Sequence, residues 1–348
     1  MKIMIQSDNG NAHYYQRLAW ANAFNSIPGY EAKLWWSGQT PAYDAFDMYE
    51  PDIFLGQTYN LSKSVIECIK ERPHLKVGLR APDWGSQETD ERFRILKATD
   101  EEKRAVEELK EKTGQPVFLH IHYPEYALQN THNKWAETGV SVKSIMMCAD
   151  INSYAHAKYV PELACDIGFV GGYWPYKGQV IDKYLLPICN DRCLNIKIFG
   201  NQPWTETDRY CGTIEDQNVR HLFASSKICP NLSEPHAQEY GYDVNERVFK
   251  VLFCGGFVIS DYVEGLEKTL HGELKVGDMR GCLYAKTPDQ FKDLIYTYLE
   301  DEHARKSISE AGRKLVCDNH TNFHRIEEIL DGFGIKEPKI KEYQDAIK

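Results

Sequence analysis

No stretch of this chain is apolar for long enough to span a bilayer, and the opening run Met1–Gln6 is far too short for a secretory core. The chain is therefore expected in the cytoplasm, without membrane insertion. Cysteine pairs of the CxxC type are missing; Cys189 and Cys193, separated by three residues, come nearest. The ten cysteines are scattered, and several, such as Cys148 and Cys254, sit in apolar strings, so buried reduced thiols are expected rather than disulfides or zinc ligands. Positive charge is in deficit: 41 Lys and Arg face 51 Asp and Glu, a net charge of -10. That excludes a broad, sequence-blind grip on nucleic acid or on an anionic membrane. There is no GxSxG elbow, no Walker A loop and no HExxH, so the usual signatures of hydrolases, P-loop kinases and zinc proteases are absent. The dinucleotide fingerprint GxGxxG is missing too, as are solenoid repeats and low-complexity tracts.

What is present is an ordinary globular composition, 42% hydrophobic and 26% charged, in a chain of 348 residues, too long for one typical core. It is rich in amphipathic rings, with 21 Tyr and seven Trp, a common lining for sugar and nucleotide sites. Short apolar runs alternate with helical patterns, the mark of βα units and a parallel sheet. In the first half the runs are Met1–Gln6, "AKLWW", Pro51–Gly56, "KVGLR", "PVFLHIHY" and Ser144–Asp150. A second series starts near Asp166 with "DIGFVGG", Leu194–Gly200, "SSKICPN" and "GGFVISD", and the chain closes on helices. This predicts an α/β protein of two Rossmann-like, doubly wound domains, 1–155 and 156–325, joined near 151–165. Segment 326–348 forms a last helix returning to the first domain, with a solvated tail after Gly334.

Ligands of open α/β sheets bind outside the carboxyl ends of the strands, which selects the candidates. In "GFVGGYWPYKG", Gly171 and Gly172 let backbone amides approach a phosphate and Lys177 lies within reach of it; a tight turn with a surface lysine is the plainer alternative. In "NERVFKVLFCGGFVISD", a helix carrying Asn245, Arg247 and Lys250 runs into Gly255-Gly256, which suits an anionic ligand, while a glycine helix cap explains the same letters. In the first half, Asp8, Gly10, Asn11 and His13 follow the first strand. His120 and His122 flank Ile121 on one strand, so both imidazoles share a face. With no third ligand at a diagnostic spacing, a hydrogen bond to substrate or a packing role is expected ahead of metal. Arg80, Asp83 and Trp84 follow the fourth strand in "RAPDWG", which reads equally as a surface turn.

The ordered set "DIGFVGGYWPYKG", "IKIFGNQPW", "YCGTI", "SSKICPNLS", "NERVFKVLFCGGFVISD" and "HTNFHR", over Asp166–Arg325, resembles the C-terminal domain of CgeB-like, spore-maturation-type proteins, which group with the group 1 glycosyl transferases. The resemblance implies a GT-B architecture, two domains facing across a cleft that closes on substrate. The second domain would hold a nucleotide-sugar donor, UDP-linked by default, and the first an acceptor: polysaccharide, protein, metabolite or modified nucleobase. It implies no cofactor and no obligatory metal. Lys177-Gly178 matches the family's donor-diphosphate lysine, but Tyr173 stands where an arginine usually precedes it. The family's two glutamates, spaced by seven residues, fall on Tyr242 and Lys250. Lys250 is then expected to meet phosphate, with Glu239, Asp243 or Glu246 holding the ribose and Asn201 beside the donor. The expected diphosphate contacts are the amides of Gly171-Gly172 and Gly255-Gly256 with Lys177, Arg247 or Lys250. His120 is expected to contact the reacting sugar, and His13 and Asp8 to activate the acceptor. Gly10, Asn11, Arg80, Asp83 and Trp84 make up the acceptor side. A sugar-nucleotide epimerase and a non-catalytic coat-assembly protein with a vestigial donor site are the alternatives.

Overall fold

Strands buried on both faces cannot alternate, and the continuous apolar runs Ile3–Ile5 and Ile53–Leu55 are buried throughout, as central strands of a parallel sheet require. The computed structural model describes residues 1–7, 12–82, 98–271 and 281–347. Its described residues form two units: Met1–Met146 with Asn322–Lys348, and Met147–Thr321.

In the first unit the strands are β1 (Lys2–Ser7), β2 (Glu31–Trp36), β3 (Ile53–Gln57), β4 (Lys76–Arg80), β5 (Phe118–Ile121) and β6 (Val142–Ser144). They pair in parallel in the order β2-β1-β3-β4-β5-β6. The order reverses at β1/β3, which makes that junction the topological switch point. One side of the sheet buries Trp35, Phe46, Phe54, Val77, Leu79 and Trp135. Helix Asn322–Gly332 packs on helix Ala12–Asn25, with Asn322 Nδ2 donating to Ala19 O at 2.9 Å and Phe333 against the Phe118 ring at 4.8 Å. Residues after Gly334 are not merely a solvated tail: helix Ile340–Asp345 buries Ile340 and Gln344.

In the second unit β7 (Cys165–Val170), β8 (Ile196–Phe199), β9 (Ser226–Asn231), β10 (Val258–Asp261) and β11 (Leu283–Ala285) pair in parallel as β11-β10-β9-β7-β8. Here the switch point lies at β7/β9. The core includes Ile167, Phe169, Ile198, Ile228, Ile259 and Phe291.

Two sequence readings change. Ser144–Asp150 is not a strand; β6 ends at Ser144 and only an isolated bridge, Ala149 to Thr321, follows. The division falls after Met146 rather than after residue 155, because helix Ile151–Tyr154 packs within the second unit, where the Tyr154 ring stacks on Phe223 at 6.5 Å. All ten cysteines are free; Cys193 and Cys211 are exposed, Cys317 is partly so and the rest are buried. No described helix is long and apolar enough to cross a membrane.

Candidate functional site

At the carboxyl end of β7 the chain turns through Gly171 and Gly172 under tight packing. Gly171 N–H donates to Phe199 O at 2.8 Å, and its carbonyl accepts from Trp204 Nε1 at 3.0 Å. A Cβ at Gly200 would stand 2.4 Å from Gly171 O, so only glycine lets the β8 turn lie against this one. The amide of Gly171 is therefore occupied by the sheet, whereas Gly172 N–H forms no hydrogen bond among the described residues. Asn201 Oδ1 lies beside Gly172, 3.3 Å from where a Cβ would sit. Helix Pro175–Tyr184 begins directly after this turn, with proline in its first turn and no side-chain cap, so its leading amides are open.

Lys177 occupies the first turn of that helix. It is buried, with Nζ 5.2 Å from the Trp174 ring centroid. Burial, then the neighbouring Arg247 guanidinium, lowers its pKa from 10.5 to about 7. Arg247 is fixed by Val170 O at 3.0 Å from Nε and Leu232 O at 3.5 Å from Nη1, and it lies over the Phe169 ring at 4.7 Å. It stands in the first turn of helix Glu246–Phe253, whose N-cap Asn245 makes no side-chain cap; the buried Asn245 Oδ1 has no partner among the described residues. Two uncapped helix starts and two cations thus converge at β7/β9, an arrangement that favours an anion.

The turn after β9 supplies groups that the sequence reading missed. Asp261, fully buried at the end of β10, accepts from Ser233 N and Oγ, both at 3.1 Å, and from Gln238 Nε2 at 2.7 Å. Burial pushes its carboxyl up while these bonds pull it down, leaving it above the ordinary value. Tyr176 OH accepts from His236 N at 3.2 Å and shares a hydrogen bond with His236 Nδ1 at 2.8 Å, while Nε2 donates to Asp243 Oδ2 at 3.0 Å, since a carboxylate only accepts. Asn231 is buried with Oδ1 unpartnered among the described residues, its Nδ2 donating to Ser260 Oγ at 2.9 Å. The only signal for these groups was their place, polar residues directly after a strand. Glu239 is exposed on helix Pro235–Tyr240.

Two expectations about this unit are corrected. Gly255 and Gly256 lie at the amino end of β10, away from the strands' carboxyl ends. Their N–H groups are spent on Leu252 O at 3.0 Å and Val251 O at 2.9 Å, with Gly255 at φ +77°: they close a helix and offer no amide to a diphosphate. Lys250 is buried and paired with Glu246 at 2.8 Å, its Nζ 5.3 Å from the Tyr154 ring centroid. Burial, the largest influence, works against its charge, but Glu246 and Tyr154 overcome it and raise the pKa. A lysine so compensated by its own helix is not an open cation for phosphate.

In the first unit, His120 and His122 share a face as expected: His120 meets Trp20 edge-on at 5.5 Å and His122 meets His13 at 5.2 Å. Burial, then Arg80 and Arg17, holds His120 well below its ordinary pKa, so it is neutral. Arg80 Nη2 donates to His13 Nε2 at 3.0 Å and Nη1 to Tyr59 OH at 3.0 Å; a guanidinium only donates, so His13 Nε2 is the acceptor. Arg80 is thus buried in a polar network with Gln57 and Arg17, not in a surface turn. Asp8, Gly10, Asn11, Asp83 and Trp84 lie outside the described residues.

Residues 184–331 match the glycosyl transferase-like family. No curated protein matches the chain in sequence. Among solved structures, the chain is similar over 96% of its length to 99% of Anabaena HepE in complex with UDP and glucose, at 14% identity and TM-score 0.63. It is similar over 96% of its length to 99% of an alpha-glucosyltransferase bound to UDP and a DNA 13-mer with an HMU base, at 12% identity and TM-score 0.65. A putative UDP-N-acetylglucosamine 2-epimerase from Listeria monocytogenes is similar at 9% identity and TM-score 0.55, over 97% of this chain and 98% of that one. The fold is GT-B, two parallel-sheet α/β domains.

Proposed function

We propose that the chain is a glycosyltransferase, CgeB-like in type, that moves a sugar from a UDP-sugar to an acceptor hydroxyl without an obligatory metal. The observation that carries this reading is the convergence of Lys177, Arg247 and two uncapped helix starts at β7/β9. In the reaction the C1–O bond to the diphosphate breaks, the acceptor oxygen bonds C1, and the acceptor hydroxyl loses its proton. Negative charge grows on the leaving diphosphate. Lys177, Arg247, Gly172 N–H and the leading helix amides meet it, and such preorganised donors stabilise the transition state more than the ground state.

With Glu246 paired to Lys250 and Asp261 taken up by Ser233 and Gln238, Glu234 and Asp243, whose charges act on Lys177, are the acceptors proposed for the ribose hydroxyls. Neutral His120 suits a hydrogen bond to the transferred sugar. Asp8 is proposed to take the acceptor proton, a role that requires hydrogen-bond reach to that hydroxyl; His13, expected to share it, has its one basic nitrogen taken by Arg80 and is proposed only to position the acceptor. The neighbours that carry UDP with glucose or with a DNA acceptor support this reading over an epimerase, whose neighbour is less similar. Release of an epimerised sugar nucleotide without acceptor would identify the latter.

A thermal-shift screen with UDP, GDP, ADP, CMP and their sugar conjugates, with and without EDTA, tests the proposal by linkage. The expected result is a shift with UDP and UDP-sugars, insensitive to EDTA and lost in Lys177→Ala. No shift with any nucleotide would leave the non-catalytic alternative.

A further inference from the structure

Helix Glu302–Asn319 carries Arg305, Ser309 and Arg313 at i, i+4 and i+8, a spacing that sets all three on one face. That face walls a cavity of about 430 Å³, within the range of small-molecule sites. Ser226 and Lys227 at the amino end of β9, with Gly255 and Phe257 just before β10, supply the facing wall. The cavity therefore lies at the amino edge of the second sheet, opposite Gly172 and Lys177, and the diphosphate chemistry proposed above gives it no role.

Its charges sort by partner. Lys227 is answered by Asp166 at 2.8 Å and Lys306 by Glu302 at 2.5 Å. Arg305 and Arg313 form no ion pair among the described residues, and each is tied instead to backbone at a helix end. Arg305 Nη1 donates to Tyr298 O and to Leu299 O, the latter at 2.9 Å; Arg313 Nε donates to Phe253 O at 3.0 Å. These bonds anchor both side chains and leave each guanidinium two nitrogens with protons to give, so little ordering entropy remains to be lost on binding. Ser309 stands between them, a buried residue whose hydroxyl has no hydrogen bond among the described residues and is not sealed from solvent.

The ligand class follows from these donors. A guanidinium only donates, so its complement is an oxyanion. Two arginines eight residues apart on a helix stand about 12 Å apart at their Cα atoms. A ligand that uses both needs an anionic group at each end and a polar middle for Ser309. Glu310, in the same wall and without an ion-pair partner among the described residues, offsets part of the positive field. A singly charged ligand therefore gains little, while a doubly charged one gains at both ends. We infer that this cavity is a second anion site, separate from the one at β7/β9, and that it takes a small bisphosphorylated sugar or polyol. The inference does not depend on the glycosyltransferase reading.

Calorimetry of the full chain tests it, with fructose 1,6-bisphosphate, glucose 6-phosphate, inorganic phosphate and glucose as probes, each with and without saturating UDP. The bisphosphate is expected to bind most tightly, glucose not at all, and UDP not to displace the bisphosphate. Arg305→Gln and Arg313→Gln should each weaken that binding by about tenfold or more, through loss of charge-assisted hydrogen bonds, and leave UDP affinity unchanged. Glu310→Gln should strengthen it about threefold, a gain that no folding defect produces. Arg313 and Glu310 are exposed, so their variants decide the matter if Arg305→Gln fails to fold. No binding of the bisphosphate, equal affinity for glucose, displacement by UDP, or indifference to Arg313→Gln and Glu310→Gln would each overturn the inference. Absence of UDP binding in every variant and in the parent chain sinks the transferase reading and leaves this site standing.

Discussion

On the proposed reading the second unit's chemistry turns on Lys177, because its charge is held down by its surroundings and an anion would restore it. With a folded pKa of about 7 against an ordinary 10.5, the unfolded chain holds more protons between these values. Stability is therefore fully present above pH 10.5, falls as pH drops through that window, and is lowest below 7. Lys177→Met should accordingly raise the melting temperature of the unliganded protein more at pH 6 than at pH 9, while abolishing the UDP shift. A diphosphate reverses the balance by favouring the ammonium form. Between pH 7 and 9, where the phosphate is already fully ionised, UDP affinity should fall with rising pH, by at most about tenfold per unit. Calorimetry in buffers of different ionisation enthalpy should show proton uptake on binding. An affinity flat across that range would mean that Lys177 does not meet the diphosphate. Lys177 was legible in the sequence because glycines before it and a helix after it are local signals. Asp261, His236 and Tyr176 were not, because their bonds join residues far apart in sequence and no spacing announces them.

The glycine turns separate by what their backbones do, which the letters alone could not tell. "VGG" and "CGG" read alike, yet the first ends a strand at the sheet's carboxyl edge and the second ends a helix at the opposite edge. Gly255→Ala places a side chain at φ +77° with nothing in its way, and should cost about 1 kcal/mol of stability without changing UDP affinity. Gly200→Ala drives a Cβ into Gly171 O, a backbone atom that cannot swing aside. Displacing the Gly171–Gly172 turn, it should lower UDP affinity by at least tenfold as well as stability. Denaturation and nucleotide titration of the two variants check the pair; equal loss of UDP binding in both would contradict this division. The strands were mostly legible because buried parallel strands are continuous apolar runs. β11 was not, since three residues, Leu283–Ala285, carry too little pattern, and "SIMMCAD" was misread because an apolar connector looks the same as a buried strand.

At the scale of the whole molecule, the alternation of runs and helices announced two parallel sheets, and the return of the last helix to the first unit was expected as well; which residues of the chain's end are buried there depends on distant packing that no local pattern encodes. Phe323, Ile326, Ile329, Leu330 and Phe333 are all buried, and each contributes on the order of 1.5–3 kcal/mol when fully shielded from water. Ending the chain after Thr321 removes all five, a loss comparable to the whole stability of a domain. The truncated protein should lose the cooperative unfolding of the first unit while the second retains a melting transition and its UDP shift. Calorimetry with and without UDP separates the two, and an intact first transition would contradict the assignment.

The same arrangement sets an order of events during synthesis. The second unit is one continuous segment, Met147–Thr321, and all of it is translated before the first unit's final helices. The amino-terminal sheet, although translated first, must wait with its Ala12–Asn25 helix and the Phe118 side uncovered until Asn322 and the residues beyond it arrive. The half of the protein that appears first is completed last.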